Sequence, residues 1–434
     1  MPIINSVIVQ GGPAPTGTKN ITSNGVHDVS AYASADVQVP TTAPAKYIAY
    51  DVDANGGLVA TAPIINLSNV TSLPMYSLAY AYNSIATISG VLDMSSLTTL
   101  GAHSLHNAFS NTNITGVKLQ NLQTVNGEYA MANCFSGCSS ITGNLDLSSL
   151  VAMNNQYVMN GAFRNCSGIT SVDLSSLTSV GTNAFQDCFN GCSGITSVDL
   201  SSLTSSGVAN NPFTTAFSGC SALTSINMSN LETVNGRSAF SGFLQGCVNL
   251  PYISLPKLKS ITNAYGMSQF LYGCTSIETF KFESLTTASA DSCLYLFFGG
   301  CSSLESVWFY ALSTTSNGAF GYFLSACTNV TVHFPIAKQS DMSSWSNVTS
   351  GFGGTNTTVL FDLATSLTGA DTNTYTRSEK DSTSTATAWT YNDTLYYTLG
   401  VSDNTNGVNE PQVGDTIYSD AACTTAVTTI DAIA

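Results

Sequence analysis

The run Asn165-Cys-Ser-Gly-Ile-Thr-Ser-Val-Asp-Leu-Ser-Ser-Leu-Thr-Ser-Val180 decides the fold. It returns almost letter for letter as Gly191-Cys-Ser-Gly-Ile-Thr-Ser-Val-Asp-Leu-Ser-Ser-Leu-Thr-Ser-Ser206. Such self-similarity marks a repeat array and overrides residue-by-residue propensity. The cysteine recurs at Cys138, Cys166, Cys192, Cys220, Cys247, Cys274, Cys301 and Cys327, at intervals of 26 to 28 residues. The closing apolar residue of the core recurs at Val70, Leu97, Leu122, Leu150, Leu177, Leu203, Leu231, Leu258, Leu285, Leu312 and Ala337, which gives eleven copies. Ile85 and Asn111 stand at the cysteine position of two early copies. One copy cannot bury its own apolar edge, so each must borrow its core from its neighbours. The fold class expected is mainly β: a solenoid of about eleven turns of 25–28 residues, flanked by small β modules.

Each copy holds an apolar-x-apolar strand such as Val172-Asp-Leu174, a Ser-Ser or Ser-Asn turn, and a Leu-Thr-x-Val/Ile segment. A stretch ending in an aromatic follows, with Phe135, Phe163, Phe189, Phe217, Phe243, Phe270, Phe298 and Phe323 three or four residues before the cysteine. The motif Asn183-Ala-Phe-Gln-Asp-Cys-Phe-Asn-Gly-Cys-Ser-Gly-Ile-Thr-Ser-Val-Asp-Leu200 resembles the BspA-like leucine-rich repeats of bacterial and protozoan surface proteins. That resemblance implies a leucine-rich-repeat solenoid and an adhesive role.

The array spans residues 46–340, after an N-terminal β module at 1–45 and before a C-terminal β region at 341–434. In the first module Val7-Ile-Val-Gln reads as a strand, Lys19 to Val29 as a hairpin around Asn24-Gly25, and Ala35-Asp-Val-Gln-Val-Pro40 as a third strand. Residues 15–39 resemble a short β module of virion proteins in tailed bacteriophages. Val413-Gly-Asp-Thr-Ile-Tyr-Ser-Asp-Ala-Ala-Cys-Thr-Thr-Ala-Val427 resembles text at the ends of phage tail and fibre proteins. In the last region Val359-Leu-Phe-Asp-Leu, Ala388-Trp-Thr-Tyr, Thr394-Leu-Tyr-Tyr-Thr-Leu and Thr416-Ile-Tyr-Ser read as strands. The Ser/Thr-rich segment Arg377-Ser-Glu-Lys-Asp-Ser-Thr-Ser-Thr-Ala-Thr387 reads as a linker or exposed loop.

A net charge of −15 with only 11 basic residues argues against nucleic acid and against an anionic membrane surface. No apolar run is long enough to span a bilayer, and the text after Met1 lacks the pattern of a secretory signal. With Met1 in place, release by host lysis and a position on the virion surface are the expectation. Eight of the twelve cysteines share one phase of the repeat, so they read as a column of buried free thiols rather than as disulfides. Cys134-Phe-Ser-Gly-Cys138 and Cys188-Phe-Asn-Gly-Cys192 have metal-like spacing, yet no second pair completes a zinc site.

No Gly-x-Ser-x-Gly elbow and no Ser or Cys with a recognisable His partner is present, so no catalytic residue, metal site or cofactor is assigned. Of the four histidines, His103-Ser-Leu-His106 forms the one close pair, and it reads as polar residues on a loop between repeats. Alternation sends the residue between the two apolar ones outward. Asp146, Asp173 and Asp199 then form a stripe, either a solvated acidic face or a candidate cation site. Further along, Lys281, Trp308, Tyr310 and His333 are the candidate ligand-binding residues. An outward Trp-x-Tyr suits a sugar or protein, unless the C-terminal region packs over it as a cap.

The reading is a non-enzymatic surface protein of a phage virion: a head or tail fibre, decoration or receptor-binding component displaying its repeat face. A bacterial cell-surface adhesin is the alternative. The expected partners are other virion proteins, through residues 1–45, and a host-surface glycan or protein. Self-association is an open expectation; nucleic acid and membrane insertion are not expected.

Overall fold

The computed structural model describes residues 67, 70–73, 75, 78–86 and 88–343. Beyond them it describes 351–363, 366–378, 387–392, 394–399, 401–402, 409–411, 415–419 and 422–433, and near the start the short strands at 19–20, 25–28, 37–38 and 47–50. The chain divides into two compact units, residues 1–228 with 236–250, and residues 229–235 with 251–434.

In the first unit the apolar-x-apolar segments form parallel strands, as the repeat requires. Gly143–Asp146, Ile169–Asp173, Ser197–Asp199 and Ser225–Asn227 lie side by side, while Ser89–Asp93 pairs with Asn113–Lys118. The Leu-Thr-x-Val/Ile segments build a second parallel ladder of five two-residue strands, from Ser72–Leu73 to Ser179–Val180.

The rest of each turn is an arc with its own rule. From His103 to Asn111, alternate amides reach the next turn: His103 N–H donates to Glu128 O, Leu105 to Ala130, Asn107 to Ala132, Phe109 to Cys134 and Asn111 to Ser136, at 2.7–2.9 Å. The amides of Ser104, His106 and Ala108 instead donate three residues back within their own turn. Every fourth residue takes a left-handed backbone to permit this: His103, Asn107, Asn111; Tyr129, Asn133, Gly137; Tyr157, Gly161, Asn165; Asn183, Asp187, Gly191. Side chains accordingly point two in and two out. In residues 183–192, Ala184-Phe185 and Cys188-Phe189 are fully buried, and Gln186-Asp187 and Asn190-Gly191 are partly exposed.

The buried pairs stack from turn to turn. Phe109, Phe135, Phe163, Phe189 and Phe217 form a ladder of near-parallel rings, with centroids 5.2–5.6 Å apart. Beside it the repeat thiols of this unit donate to the phenylalanine carbonyl of a preceding turn, among them Cys138 to Phe109 O (2.9 Å), Cys166 to Phe135 O (3.1 Å) and Cys192 to Phe163 O (2.9 Å). All twelve cysteines are buried, and none forms a disulfide. Thr112, not Asn111, takes the cysteine's place in its turn, because Asn111 holds the left-handed position before it; the Thr112 hydroxyl donates to Phe109 O at 2.8 Å.

The second unit repeats the arc and both ladders. Thr233–Val234, Ser260–Ile261, Thr287–Ala288 and Thr314–Thr315 pair in parallel. So do Thr279–Phe282, Ser306–Phe309, Thr331–Pro335 and Thr358–Leu363. Residues 251–256 form no strand, since Pro251 and Pro256 offer no N–H to a ladder. Ala337 does not close an eleventh copy; it lies in the short 3-10 helix Ile336–Lys338, and the array ends at about ten turns.

Two local expectations change. Lys19–Asn20 and Gly25–Asp28 do not pair as a hairpin; each has a parallel partner, Val37–Gln38 and Tyr47–Tyr50. Val7 to Gln10, Asn24 and the text from 379 to 386 lie outside the described residues. The last strands close into a six-stranded antiparallel barrel in the order Ser366–Gly369, Thr374–Ser378, Thr387–Tyr391, Thr394–Thr398, Thr416–Tyr418 and Ala426–Ile433. Leu367, Tyr375, Trp389, Ile417 and Ile430 fill it, and Trp389 Nε1 donates to Thr398 Oγ1 at 2.9 Å.

Two outcomes follow from the arc. Gly219 has a φ of +74°, and an added Cβ would meet nothing nearer than 3.6 Å. Gly219→Asn should therefore cost under about 1 kcal/mol in urea unfolding, whereas a β-branched Gly219→Val should cost roughly 2 kcal/mol or more. The second outcome concerns pH. Burial pushes the Cys192 thiol up to about 12. A thiol raised in the folded state stabilises below its unfolded value of about 8.5 and loses that contribution as pH rises toward the folded one. Urea midpoints should fall between pH 8.5 and 12, and Cys192→Ala should flatten that fall while costing about 1–2 kcal/mol at pH 7.

Candidate functional site

The strand face of the first unit carries a groove of about 560 Å³. Its floor is the ladder of Gly143–Asp146, Ile169–Asp173, Ser197–Asp199 and Ser225–Asn227. Alternation turns Leu145, Val172, Val198 and Ile226 into the core and leaves two rows facing out. One row runs Asp146, Asp173, Asp199, Asn227 in strict register, and the other Asn144, Ser171, Ser197, Ser225. The Asp row was legible as the residue between two apolar ones. The Ser row was not singled out, although the same period of two produces it.

The stacked aspartates have a structural reason. Each Oδ1 accepts the backbone N–H two residues on, from Ser148 (3.0 Å), Ser175 (2.9 Å) and Ser201 (2.9 Å), and so turns the chain out of its strand. Asp93 does the same with Ser95 and also meets Lys118 Nζ at 2.9 Å. The Ser95 hydrogen bonds and Lys118 hold the Asp93 carboxyl below the ordinary value. Along the second row the Ser171 hydroxyl donates to Asn144 Oδ1 at 2.7 Å. Among the described residues no group of three or more His, Cys, Asp or Glu side chains is placed to hold a metal ion. The groove offers carboxylates, amides and hydroxyls in rows, suited to hydrogen bonding with a polar partner.

The second candidate set lies elsewhere than expected. Lys281 is exposed, but Trp308, Tyr310 and His333 are only 4%, 3% and 1% exposed, so they present no open aromatic face. The reason is the chain beyond the repeats. Thr358–Leu363 adds a further parallel strand, setting Leu360 beside His333, and Leu363 packs with Trp308 and Tyr310. Trp308 and His333 stack with centroids 3.4 Å apart. Arg377 of the barrel places its guanidinium 5.0 Å from the Tyr310 ring and 5.7 Å from the Trp389 ring, which joins barrel to repeats by cation–π contact. Arg377 had been assigned to a linker. It lies within the strand Thr374–Ser378.

The sequence matches the family described as BspA type leucine rich repeat region, in six copies, over residues 79–190, 134–258 and 214–343. No curated protein matches the chain. Among solved structures, it is similar to a leucine-rich repeat protein from Bacteroides ovatus, at 15% identity and a TM-score of 0.37, over 62% of this chain and 70% of that one. It is also similar to a chain of the Toll–Spatzle complex of Drosophila, at 12% identity and a TM-score of 0.26, over 76% of this chain. The chain of a TLR13–ssRNA13 complex shares 12% identity at a TM-score of 0.11, over 57% of this chain. The protein spans about half of each of the last two chains, 49% in both cases. Overlaps this slight carry no argument about function. The repeat match, the parallel ladders and the stacked arcs together place this chain in the BspA-type leucine-rich repeat family.

Proposed function

We propose that this protein is a non-enzymatic surface-recognition protein that binds a polar partner, a glycan or a protein, along its parallel strand face. The observation that carries the reading is the open groove lined by Asn144, Ser171, Ser197, Ser225 and the aspartate row. Its side chains stand on consecutive strands whose core partners are fixed, so they vary without disturbing the fold. Rows of hydroxyls and carboxylates repeated along a ladder match a partner that itself repeats, as a surface polysaccharide does. Nothing about such a face requires turnover.

Two displays suit this chemistry. The family favours a bacterial cell surface. The wording of residues 15–39 and 413–427 favours a phage virion, with residues 1–45 as the attachment module and other virion proteins as its partners. Deleting residues 1–45 separates them: in the virion reading the truncated protein no longer enters particles, and unchanged entry places attachment elsewhere.

The groove itself is tested with Ser197→Trp and Ser225→Trp together, which fill it from two exposed positions. Binding to host cells or purified surface polysaccharide should fall at least about tenfold, a loss of 1.4 kcal/mol, with the melting temperature unchanged. Trp308→Ala should do the opposite, costing about 3 kcal/mol of stability and leaving binding intact. Full binding by the groove variant would remove the strand face as the contact surface.

A further inference from the structure

The arc of the first unit brings together the two histidines that the sequence left as loop residues. His103 and His106 occupy the outward places on either side of the buried pair Ser104-Leu105. That two-in, two-out rule folds their rings toward each other, and the two Nδ1 atoms stand 3.3 Å apart. Neighbouring turns hold the rings from both sides. Tyr129 stacks on His103 with centroids 5.0 Å apart and on His106 at 5.5 Å, and Tyr80 lies against His106 at 5.1 Å. Tyr157 backs Tyr129 in turn, at 4.7 Å and 4° between planes.

We infer that His103 and His106 form a two-nitrogen chelate for a borderline divalent transition cation such as Zn²⁺, Ni²⁺ or Cu²⁺. Imidazole binds such ions at about 2.0–2.1 Å, so two nitrogens on one tetrahedral ion stand about 3.4 Å apart. The pair already sits at that bite. The tyrosine stack limits how far either ring can swing away, which reduces the ordering needed on binding. Burial, and then the proximity of His103, hold the His106 imidazole below its ordinary value. Two protein donors leave coordination positions open for water or for a donor from a partner. The site lies on the arc rather than on the strand groove, so it stands whatever the groove binds.

The test is a titration of the purified full chain with Ni²⁺ and Co²⁺ at pH 7.5. One ion per chain should bind. His103→Gln and His106→Gln should each weaken it at least about tenfold, a factor in the range that altered ligand shells produce. The double variant should bind none, and His27→Gln should bind as the parent does. The Co²⁺ spectrum should show d–d bands of nitrogen and oxygen ligation without a thiolate charge-transfer band. An unchanged stoichiometry in the double variant, a thiolate band from the cysteines, or no binding by the parent at millimolar metal would each overturn the assignment. Circular dichroism of the double variant guards the reading: an altered fold passes the decision to the single variants, which keep one imidazole in the tyrosine stack.

Discussion

Backbone hydrogen bonding in the arcs is the constraint on which the rest of the first unit depends. A coil that must stack at strand-like spacing has to satisfy every amide while turning through a tight curve, and a buried amide without a partner costs on the order of 1–3 kcal/mol. The solution is alternation: one N–H to the next turn, the following N–H three residues back in its own turn. This works only when every fourth residue adopts a left-handed backbone. The position before the repeat cysteine is the clearest case, with Asn111, Gly137, Asn165, Gly191 and Gly219 in successive turns. Glycine adopts that conformation without strain, and asparagine with little.

The same geometry explains the cysteine. The place after the left-handed residue points inward, with room for a small side chain beside the phenylalanine ladder. A thiol fits there as a compact apolar group and still donates to a phenylalanine carbonyl. Thr112 also fills the place with a small side chain that donates to a phenylalanine carbonyl, here that of its own turn rather than of the preceding one. Burial also raises the thiols' proton affinity, which disfavours the reactive thiolate in a column whose members recur every turn.

Period was therefore a sound guide to architecture. The recurrence of Cys166 and Cys192, and of Leu177 and Leu203, fixed the stacking, and the x in Val-x-Leu fixed the outward row of aspartates. A period of two or 3.6 was the wrong lens for the arc. There the period is four, visible in Asn183-Ala-Phe-Gln-Asp-Cys-Phe-Asn-Gly-Cys192 as small-aromatic pairs separated by polar pairs. Reading the arc as an undivided stretch concealed that His103 and His106 share one side of it. Counting from the left-handed residue also moves the cysteine's place from Asn111 to Thr112.

The aromatic site failed for a different reason, since alternation within one strand says nothing about what the chain does afterwards. Trp308 follows the outward phase of its strand and Tyr310 keeps that phase one residue past its end, yet both are buried. An outward Trp-x-Tyr in so polar a chain was equally consistent with a covered face and with a binding face, and only the distant residues decide between them. Leu363 arrives by extending the parallel ladder, and Arg377 by closing a barrel whose strands are far weaker in sequence than the repeats. What distinguishes the groove over Ser197 and Ser225 from the Trp308 face is thus the absence of large apolar side chains from its outward rows. Covering aromatic rings removes apolar surface from water and is rewarded, whereas covering hydroxyls and carboxylates requires a partner hydrogen bond for each group. A row of serines and aspartates tends to remain available, and this is the physical ground for placing recognition there.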